Sequence, residues 1–237
     1  MNVVAEIGST NEEGLRAAEA GAPEGWTLAA LSQTAGRGRL GRAWQSPPGG
    51  VYVSVLLRPA EGYGITRIPL MAGCAMAGVI ATLCRAQGGC DVCYSIKVKW
   101  PNDVLINGKK VAGILTESRS GAAVVGAGVN ISTRWEDLPV RKQYPASTVL
   151  AEMGVELDRV ALAEAWAECL MQRYKDGAEK GLRDWDAYDA LRGIPVRINT
   201  AQGVIEGIGA GIDADGALCL DRGTAGIERI VAGDVLP

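Results

Sequence analysis

A β-hairpin is predicted around the dipeptide Asn107-Gly108, and it commits this part of the chain to an antiparallel sheet. Asn-Gly is a preferred pair for the two-residue type I′ turn. We therefore expect residues 104–106 to pair with residues 109–117. Residues 51–57 and 123–131 are apolar runs of strand length, and they predict a buried strand and a further central strand.

Helices are predicted between and after these strands. Ser9 or Thr10 is a suitable N-cap for a short helix. Residues 68–84 form the longest uncharged run, which is shorter than the ~20 apolar residues needed to cross a bilayer and therefore predicts a buried helix. Two more helices are expected within residues 158–170 and 182–185. The predicted fold class is thus mixed α/β (α+β).

The sequence pattern changes at Gly193, from long helical and strand segments to short β runs. From there to residue 237 the chain shows four short β runs separated by turns rich in glycine and aspartate. We therefore predict a main domain over residues 1–190 and a small barrel-like β module over residues 193–237. A module this short is near the lower size limit for independent folding, so it should dock on the main domain.

The chain contains no histidine, and this excludes several kinds of enzyme at once. Ser-His-Asp hydrolases, Cys-His enzymes and zinc proteases with the His-Glu-x-x-His motif all need an imidazole. The chemistry must therefore use lysine, arginine, carboxylate or backbone groups. A net charge of −3 gives no general attraction for nucleic acid or an anionic membrane.

The six cysteines are expected to be reduced, because the first residues carry no secretory signal and we expect the protein in the cytoplasm. Cys90 and Cys93 are the only close pair. Zinc would need two more ligands at similar spacing, so no metal ligands are assigned.

The segment from Gly36 to Arg42 holds three arginines and three glycines in seven residues. Glycine lets the backbone approach a ligand closely, and guanidinium groups suit phosphate or carboxylate. The spacing matches neither a P-loop nor a dinucleotide-binding motif. Anion binding and a solvated basic linker both stay open at this point. Trp44, which closes the loop, could stack on a purine or simply anchor the loop by packing.

A second group of charges surrounds the segment Lys99-Trp100-Pro101-Asn102-Asp103. Asp103 could hold a magnesium ion or bond a ligand, or it could cap its own turn. Lys109 and Lys110 point to opposite faces of the predicted strand, and either could neutralise a phosphate charge. The small residues of 126–130 would allow close packing of a flat ligand, or they could mark a tightly packed strand.

Taken together and in this order, these motifs resemble the catalytic domain of biotin–protein ligases. The resemblance covers about residues 5 to 132, and the C-terminal β module supports it. It implies a mixed-sheet catalytic domain of the biotin/lipoate ligase type with a small SH3-like β-barrel. Many family members carry an N-terminal helix-turn-helix, for which the residues before this domain leave no room. The resemblance therefore implies a ligase that does not bind DNA.

The resemblance also implies roles for individual residues. The implied biotin contacts are Ser9, Thr10, Asn11, Gln33, Arg37, Gly38, Arg39, Lys110, Gly113 and Gly128. The implied nucleotide contacts are Arg39, Arg42, Trp44, Asn102, Asp103, Lys110 and Asn130. The implied catalytic residues are Lys110, Arg39 and Asp103.

The implied reaction consumes ATP and biotin, uses Mg²⁺, and passes through biotinyl-AMP. The implied acceptor is a lysine of a biotin carboxyl carrier protein, from acetyl-CoA carboxylase or a related carboxylase. We expect no membrane partner. We expect the protein to form a homodimer. Three alternatives remain: a lipoate or octanoate ligase or transferase of the same superfamily, a ligand-responsive regulator without turnover, and a nucleic-acid binder that uses the arginine-rich loop.

Overall fold

The computed structural model describes residues 1–61, 63–88, 95–138 and 145–236. Within these ranges the chain forms two β-sheets and six α-helices. Cys90 and Cys93, the close cysteine pair in the sequence, lie outside the described residues.

The larger sheet has seven strands in the order β1-β2-β3-β7-β6-β5-β4. The strands are β1 (Asn2–Val4), β2 (Thr27–Ala30), β3 (Gly50–Leu57), β4 (Ile96–Lys99), β5 (Asp103–Ile106), β6 (Lys109–Arg119) and β7 (Ala122–Asn130). Strands β1 and β2 are parallel, and all the other neighbours are antiparallel. The mixed sheet predicted from the sequence is confirmed.

The predicted hairpin joins β5 to β6. Asn107 has a φ of 51° and Gly108 a φ of 76°. A type I′ turn requires positive φ at both central residues, which few residues other than asparagine and glycine tolerate. The turn therefore follows directly from the dipeptide, and it pairs Ile106 with Lys109; a one-residue register shift between Leu105 and Val104 then brings Asp103 opposite Gly113.

Helices cover both faces of the larger sheet. They are α1 (Thr10–Glu19), α2 (Ile68–Ala86), α3 (Val149–Met153), α4 (Arg159–Lys175), α5 (Ala178–Gly181) and α6 (Trp185–Tyr188). The main core packs α2 and α4 against alternate β3 residues such as Val53 and Val55. On the other face, Leu15 of α1 packs against Leu56 and Val124. Side chains alternate across a strand, so β3 serves both layers.

Helix α2 is the central core helix. Together with its preceding turn, Ile65–Ala86 is the one segment among the described residues that is long and apolar enough to cross a membrane, and 67% of its apolar window is buried inside the fold. Buried residues lie all around it, as expected for a helix enclosed by protein. The buried helix predicted from the uncharged run is confirmed.

The second sheet has five antiparallel strands in the order β11-β10-β9-β8-β12. They are β8 (Pro195–Thr200), β9 (Gly203–Ile212), β10 (Leu218–Asp221), β11 (Ile227–Ile230) and β12 (Asp234–Val235). Four of these strands follow the predicted β runs, whereas β12 has only two residues and was not predicted. The sheet docks on the main domain, where the indole of Trp100 donates a hydrogen bond to Gly216 O at 3.1 Å.

Candidate functional site

A cavity of about 630 Å³ opens where α1, the arginine-rich loop, strands β5 to β7 and strand β12 meet. A volume in this range suits a small-molecule ligand. Fourteen of the predicted site residues line it: Ser9, Thr10, Asn11, Gln33, Arg37, Gly38, Arg39, Arg42, Trp44, Asn102, Asp103, Lys110, Gly113 and Gly128. Four separate stretches of the main domain, residues 9–11, 33–44, 102–113 and the strand that carries Gly128, thus converge on one space.

A network of hydroxyl and amide groups lies in the cavity at the start of α1. The backbone N–H of Thr10 donates to Gln33 Oε1 at 2.8 Å. The hydroxyl of Ser54, which is fully buried on β3, donates to Asn11 Oδ1 at 2.7 Å and lies 2.8 Å from Thr10 Oγ1. Asn11 Nδ2 in turn donates to Glu117 Oε2 at 2.8 Å. These bonds hold the polar groups in fixed positions, where they can recognise a polar ring.

Ser9 starts the helix that carries this network. Its side chain accepts a hydrogen bond from the backbone N–H of Glu12 at 3.4 Å, so it is the N-cap of α1. The cap sets where the helix begins, and Thr10 and Asn11 follow in its first turn. Ser9 therefore contributes to the site through backbone position as well as by lining the cavity.

Two glycines form a flat floor under Trp44. Gly113 on β6 and Gly128 on β7 are register partners. A Cβ atom at Gly113 would lie 2.8 Å from Trp44 Cζ3, and one at Gly128 would lie 2.5 Å from Trp44 Nε1. Side-chain carbons do not approach so closely, so a ring can lie here only because both residues are glycine.

The indole N–H of Trp44 is buried and has no hydrogen-bond partner among the described residues. A buried donor without a partner is unfavourable, so it is available to a ligand. The amine of Lys110 lies 5.0 Å from the centroid of the Trp44 ring, within the range of a cation–π contact. Trp44 is therefore part of the site itself.

The arginine-rich loop folds back on itself before it reaches Trp44. The backbone N–H of Gly38 donates to Arg42 O at 2.7 Å, and Leu40 takes a left-handed φ of 58° at the tip. Arg37 anchors the first arm of the loop, because it lies 2.7 Å from Glu12 of α1 and 3.3 Å from Glu117 of β6.

The second arm of the loop is held by the C-terminal sheet. Arg39 lies 3.4 Å from Asp234 Oδ1 and donates to Gly233 O at 3.2 Å. Arg42 forms an ion pair with the other carboxylate oxygen, Asp234 Oδ2. Burial lowers the pKa of Arg39, while the negative charges of Asp234 and Asp103 act to raise it. Guanidinium is so strongly basic that Arg39 stays charged.

Asp103 lies between two lysines at the start of β5. Its carboxylate oxygens lie 3.3 Å from Lys99 Nζ and 2.5 Å from Lys110 Nζ. Burial acts to raise the pKa of Asp103, but the charges and hydrogen bonds of the two lysines outweigh it and lower the pKa. Burial lowers the pKa of Lys99, and the nearby Lys110 adds to this effect. The cluster presents a net positive charge to the cavity.

Asn102 fixes the turn that leads into this cluster. Its side-chain amide donates to Ile114 O at 2.7 Å, and its own carbonyl accepts from Ile114 N at 2.9 Å. The bonds tie the turn to β6, which keeps Asp103 in register with Gly113. Asn102 lines the cavity, so its predicted nucleotide contact and its structural role are compatible.

The structure separates Lys109 from Lys110, which the residue pattern alone did not. Lys110 is 8% exposed and lines the cavity, whereas Lys109 pairs with Glu152 at 2.7 Å and is exposed. Asn130 is the predicted residue that does not line the cavity. It is buried at the end of β7 and donates to Ser147 O at 3.2 Å. Its place at the nucleotide stays a prediction without support from this geometry.

Three important residues were not predicted: Asp234 and Lys99, which line the cavity, and Ser54, which lies behind its wall and holds Thr10 and Asn11. Lys99 lies in a motif that the sequence singled out, so its spacing from Asp103 is the signal that could have identified it. Ser54 interrupts the apolar run of β3, and a buried polar residue in such a run needs partners. No sequence signal relates Asp234 to Arg39, which is 195 positions away.

No preformed metal site is found among residues 1–61, 63–88, 95–138 and 145–236, where no three aspartate, glutamate or cysteine side chains group together. The carboxylates that line the cavity, Asp103 and Asp234, are each paired with basic side chains. A divalent ion at this site would therefore rely on oxygen ligands from a bound phosphate.

Two families match this chain. Residues 5–133 match the Biotin/lipoate A/B protein ligase family, and residues 193–236 match the Biotin protein ligase C terminal domain. The first match covers the polar network, the arginine-rich loop, the glycine floor and the Asp103 cluster. The second covers the sheet that contributes Asp234.

Named proteins are similar to the chain over nearly its full length. The Biotin--[acetyl-CoA-carboxylase] ligase of Paracoccus denitrificans is 35% identical and is covered over 98% of both chains. The Bifunctional ligase/repressor BirA of Bacillus subtilis is 33% identical over 97% of this chain and 71% of that protein. A structure of the biotin protein ligase from Aquifex aeolicus, in complex with biotin and ATP, has a TM-score of 0.79 and 28% identity, and covers 99% of this chain and 97% of that one.

Proposed function

The chain belongs to the biotin/lipoate A/B protein ligase family, and we propose that it is a biotin–protein ligase which activates biotin with ATP and transfers it to a lysine of a biotin carboxyl carrier protein. One observation carries this proposal. A single cavity joins a fixed polar network, a flat glycine floor and the cations Arg39 and Lys110. These three features suit the bicyclic ring and the carboxylate of biotin and the phosphates of ATP.

The polar network is the proposed contact for the biotin ring. A ureido group offers one carbonyl acceptor and two N–H donors, and Thr10, Asn11 and Gln33 supply both donors and acceptors. Because Ser54 and Glu117 already hold Asn11, binding need not order that amide first. The apolar part of the ligand would pack beside the indole of Trp44, which itself lies on the floor formed by Gly113 and Gly128.

In the first step the carboxylate of biotin attacks the α-phosphorus of ATP. The new bond joins a biotin oxygen to phosphorus, and the bond to pyrophosphate breaks, so pyrophosphate leaves with the electron pair. Negative charge gathers on the phosphoryl oxygens, and fixed cations stabilise it. Lys110, which is buried in the cavity wall, and Arg39 are the proposed sources of that stabilisation.

In the second step the neutral ε-amine of the acceptor lysine attacks the acyl carbon, and AMP leaves. Asp103 is the proposed group that orients this amine. Its lowered pKa makes it a weak base, since two lysines stabilise its charged form. We therefore assign it orientation of the amine by accepting a hydrogen bond, and the amine's proton passes to solvent or to the leaving phosphate.

Mg²⁺ belongs to the proposal as the usual partner of ATP, bound mainly through phosphate oxygens. The reaction is proposed to take place in the cytoplasm, which suits Cys74, Cys84, Cys169 and Cys219, all free thiols. The proposal includes no DNA partner, in keeping with the net charge of −3. A homodimer is proposed because β1 is an edge strand, where Val3 is 40% exposed; sedimentation of the purified chain would test it.

The test is to incubate the purified protein with ATP, magnesium and one acid at a time: biotin, lipoate or octanoate. Mass spectrometry then measures acyl-AMP, and a coupled assay measures pyrophosphate. Biotinyl-AMP as the dominant product supports the proposal. Lipoyl- or octanoyl-AMP would assign the chain to the lipoate branch of the family, and tight biotin binding without acyl-AMP would identify a regulator without turnover.

A further inference from the structure

Asp234 is the residue through which the C-terminal sheet reaches the arginine-rich loop. It lies on the two-residue strand β12, lines the main cavity, and its side chain is 24% exposed. One carboxylate oxygen faces Arg39 and the other faces Arg42. Arg39 and Arg42, the two arginines of the second arm of the loop, thus share one carboxylate among the described residues.

The other acid in the cavity wall does not serve this purpose. Asp103 is occupied by Lys99 and Lys110, at 3.3 and 2.5 Å. Arg37, on the first arm of the loop, has its own partners in Glu12 and Glu117. Among the described residues, Asp234 is therefore the acid that forms ion pairs with both Arg39 and Arg42.

A bound polyphosphate must compete with Asp234 for the same two cations. A carboxylate and a phosphate both accept hydrogen bonds from guanidinium, and Arg39 already contacts Asp234 at the long distance of 3.4 Å. If the phosphate takes the arginines, Asp234 stays beside it as an uncompensated like charge. The competition for the arginines and the repulsion from Asp234 both oppose the binding of pyrophosphate. Both are relieved when pyrophosphate leaves.

We propose that Asp234 exchanges Arg39 and Arg42 with pyrophosphate: it promotes pyrophosphate release after adenylation and then holds the arginine-rich loop closed over the acyl-adenylate. Asp234 is a positioning residue in this scheme, because it acts through the arginines and not on the reacting atoms. The inference rests on the proposed function for its acyl-adenylate step, whereas the competition with pyrophosphate does not depend on turnover.

The experiment compares the wild-type chain with Asp234→Asn, which removes the charge and keeps the shape. Calorimetric titration with inorganic pyrophosphate measures its affinity, and filter or fluorescence assays measure how fast preformed biotinyl-AMP dissociates. We expect pyrophosphate to bind about fivefold more tightly, which corresponds to roughly 1 kcal/mol and is typical of the upper range for partly exposed charges. We expect biotinyl-AMP to dissociate several-fold faster.

These two shifts in opposite directions separate the proposal from a purely structural role. Loss of docking between the sheet and the main domain would weaken both ligands. Glu206→Gln is the matched control, because Glu206 is an acid of the same sheet that pairs with exposed Arg197 at 2.8 Å and does not line the cavity. This control should leave both measurements unchanged.

The same two measurements are made on a second charge-free variant, Asp234→Ser. If one variant fails to fold, the other still tests the proposal. Unchanged or weaker pyrophosphate binding in a folded charge-free variant would overturn the proposal. Failure of the wild-type chain to form biotinyl-AMP would instead refute the proposed function, while the pyrophosphate titration would still decide whether Asp234 competes for the arginines.

Discussion

Replacement of Gly128 by alanine should push Trp44 off its glycine floor and into the space of the proposed ligand. The new Cβ would stand 2.5 Å from Trp44 Nε1 and 2.8 Å from Cε2 in the present arrangement. Carbon atoms pack best at about 3.5–4.0 Å, so the Trp44 indole must rise from the floor by roughly 1 Å. The displaced indole then enters the cavity, where the ligand must keep its bonds to Thr10 and Gln33, so the indole and the ligand compete for the same space.

Overpacking of this kind costs about 1–3 kcal/mol, which corresponds to a loss of roughly 5- to 150-fold in biotin affinity. Calorimetry of biotin binding measures the change, and thermal melting checks the fold. The matched control is Gly78→Ala on α2, where the new Cβ would meet only Tyr188 Oη at 3.5 Å. A folded Gly128→Ala protein with wild-type biotin affinity would refute the placement of the ligand beside Trp44.

Four further outcomes are expected. Lys110→Met should lower the rate of acyl-adenylate formation by about 100-fold or more, since it removes a fixed cation from the phosphoryl site; pyrophosphate release measures it, and a wild-type rate would exclude the assignment. Arg39→Gly should release biotinyl-AMP into solution, because the loop loses one of its two ion pairs with Asp234 of the C-terminal sheet; unchanged retention would contradict the role of the loop as a lid. Asp103→Ala should slow transfer from preformed biotinyl-AMP to the acceptor lysine, and transfer at the wild-type rate would remove Asp103 from that step. For Asp184, burial acts to raise the pKa, but the charge and hydrogen bonds of Arg173 at 2.6 Å lower it below the ordinary value of 3.8; the pair therefore stabilises the fold fully above that value, and the stabilisation is lost as pH falls through the lowered pKa. Asp184→Asn should cost roughly 2–4 kcal/mol of unfolding free energy near pH 7 because it leaves the buried guanidinium without its counter-charge, and denaturant melts at pH 7 and pH 3 should differ by less for the variant than for the wild type.

The parts of the structure that sequence could predict are those whose cause is local. The hairpin at Asn107-Gly108 follows from two residues that tolerate positive φ. The buried helix α2 follows from an uninterrupted apolar run. The cluster of Lys99 and Asp103 comes from a single motif whose members face each other across β4 and β5. In each case the residues that decide the structure are close together in the chain.

The remaining features depend on contacts between distant segments. Strand β12 has only two residues, so no periodic pattern marks it, yet it supplies the partner of Arg39. Trp44 had two open interpretations, and its position over Gly113 and Gly128 requires three segments to meet. Which of Lys109 and Lys110 belongs to the site is likewise decided by a distant residue, because Lys109 forms an ion pair with Glu152 outside the cavity.

Complete transfer of biotin by the purified chain is the most direct test of the proposed ligase activity. The protein is incubated with ATP, magnesium, biotin and a biotin carboxyl carrier domain, and intact-mass spectrometry follows the carrier. We expect the carrier to gain one biotinyl group on a single lysine, AMP and pyrophosphate to accumulate, and both products to be absent without biotin. A carrier of unchanged mass, in the presence of folded protein that binds biotin, would contradict the assignment of this chain as a biotin–protein ligase.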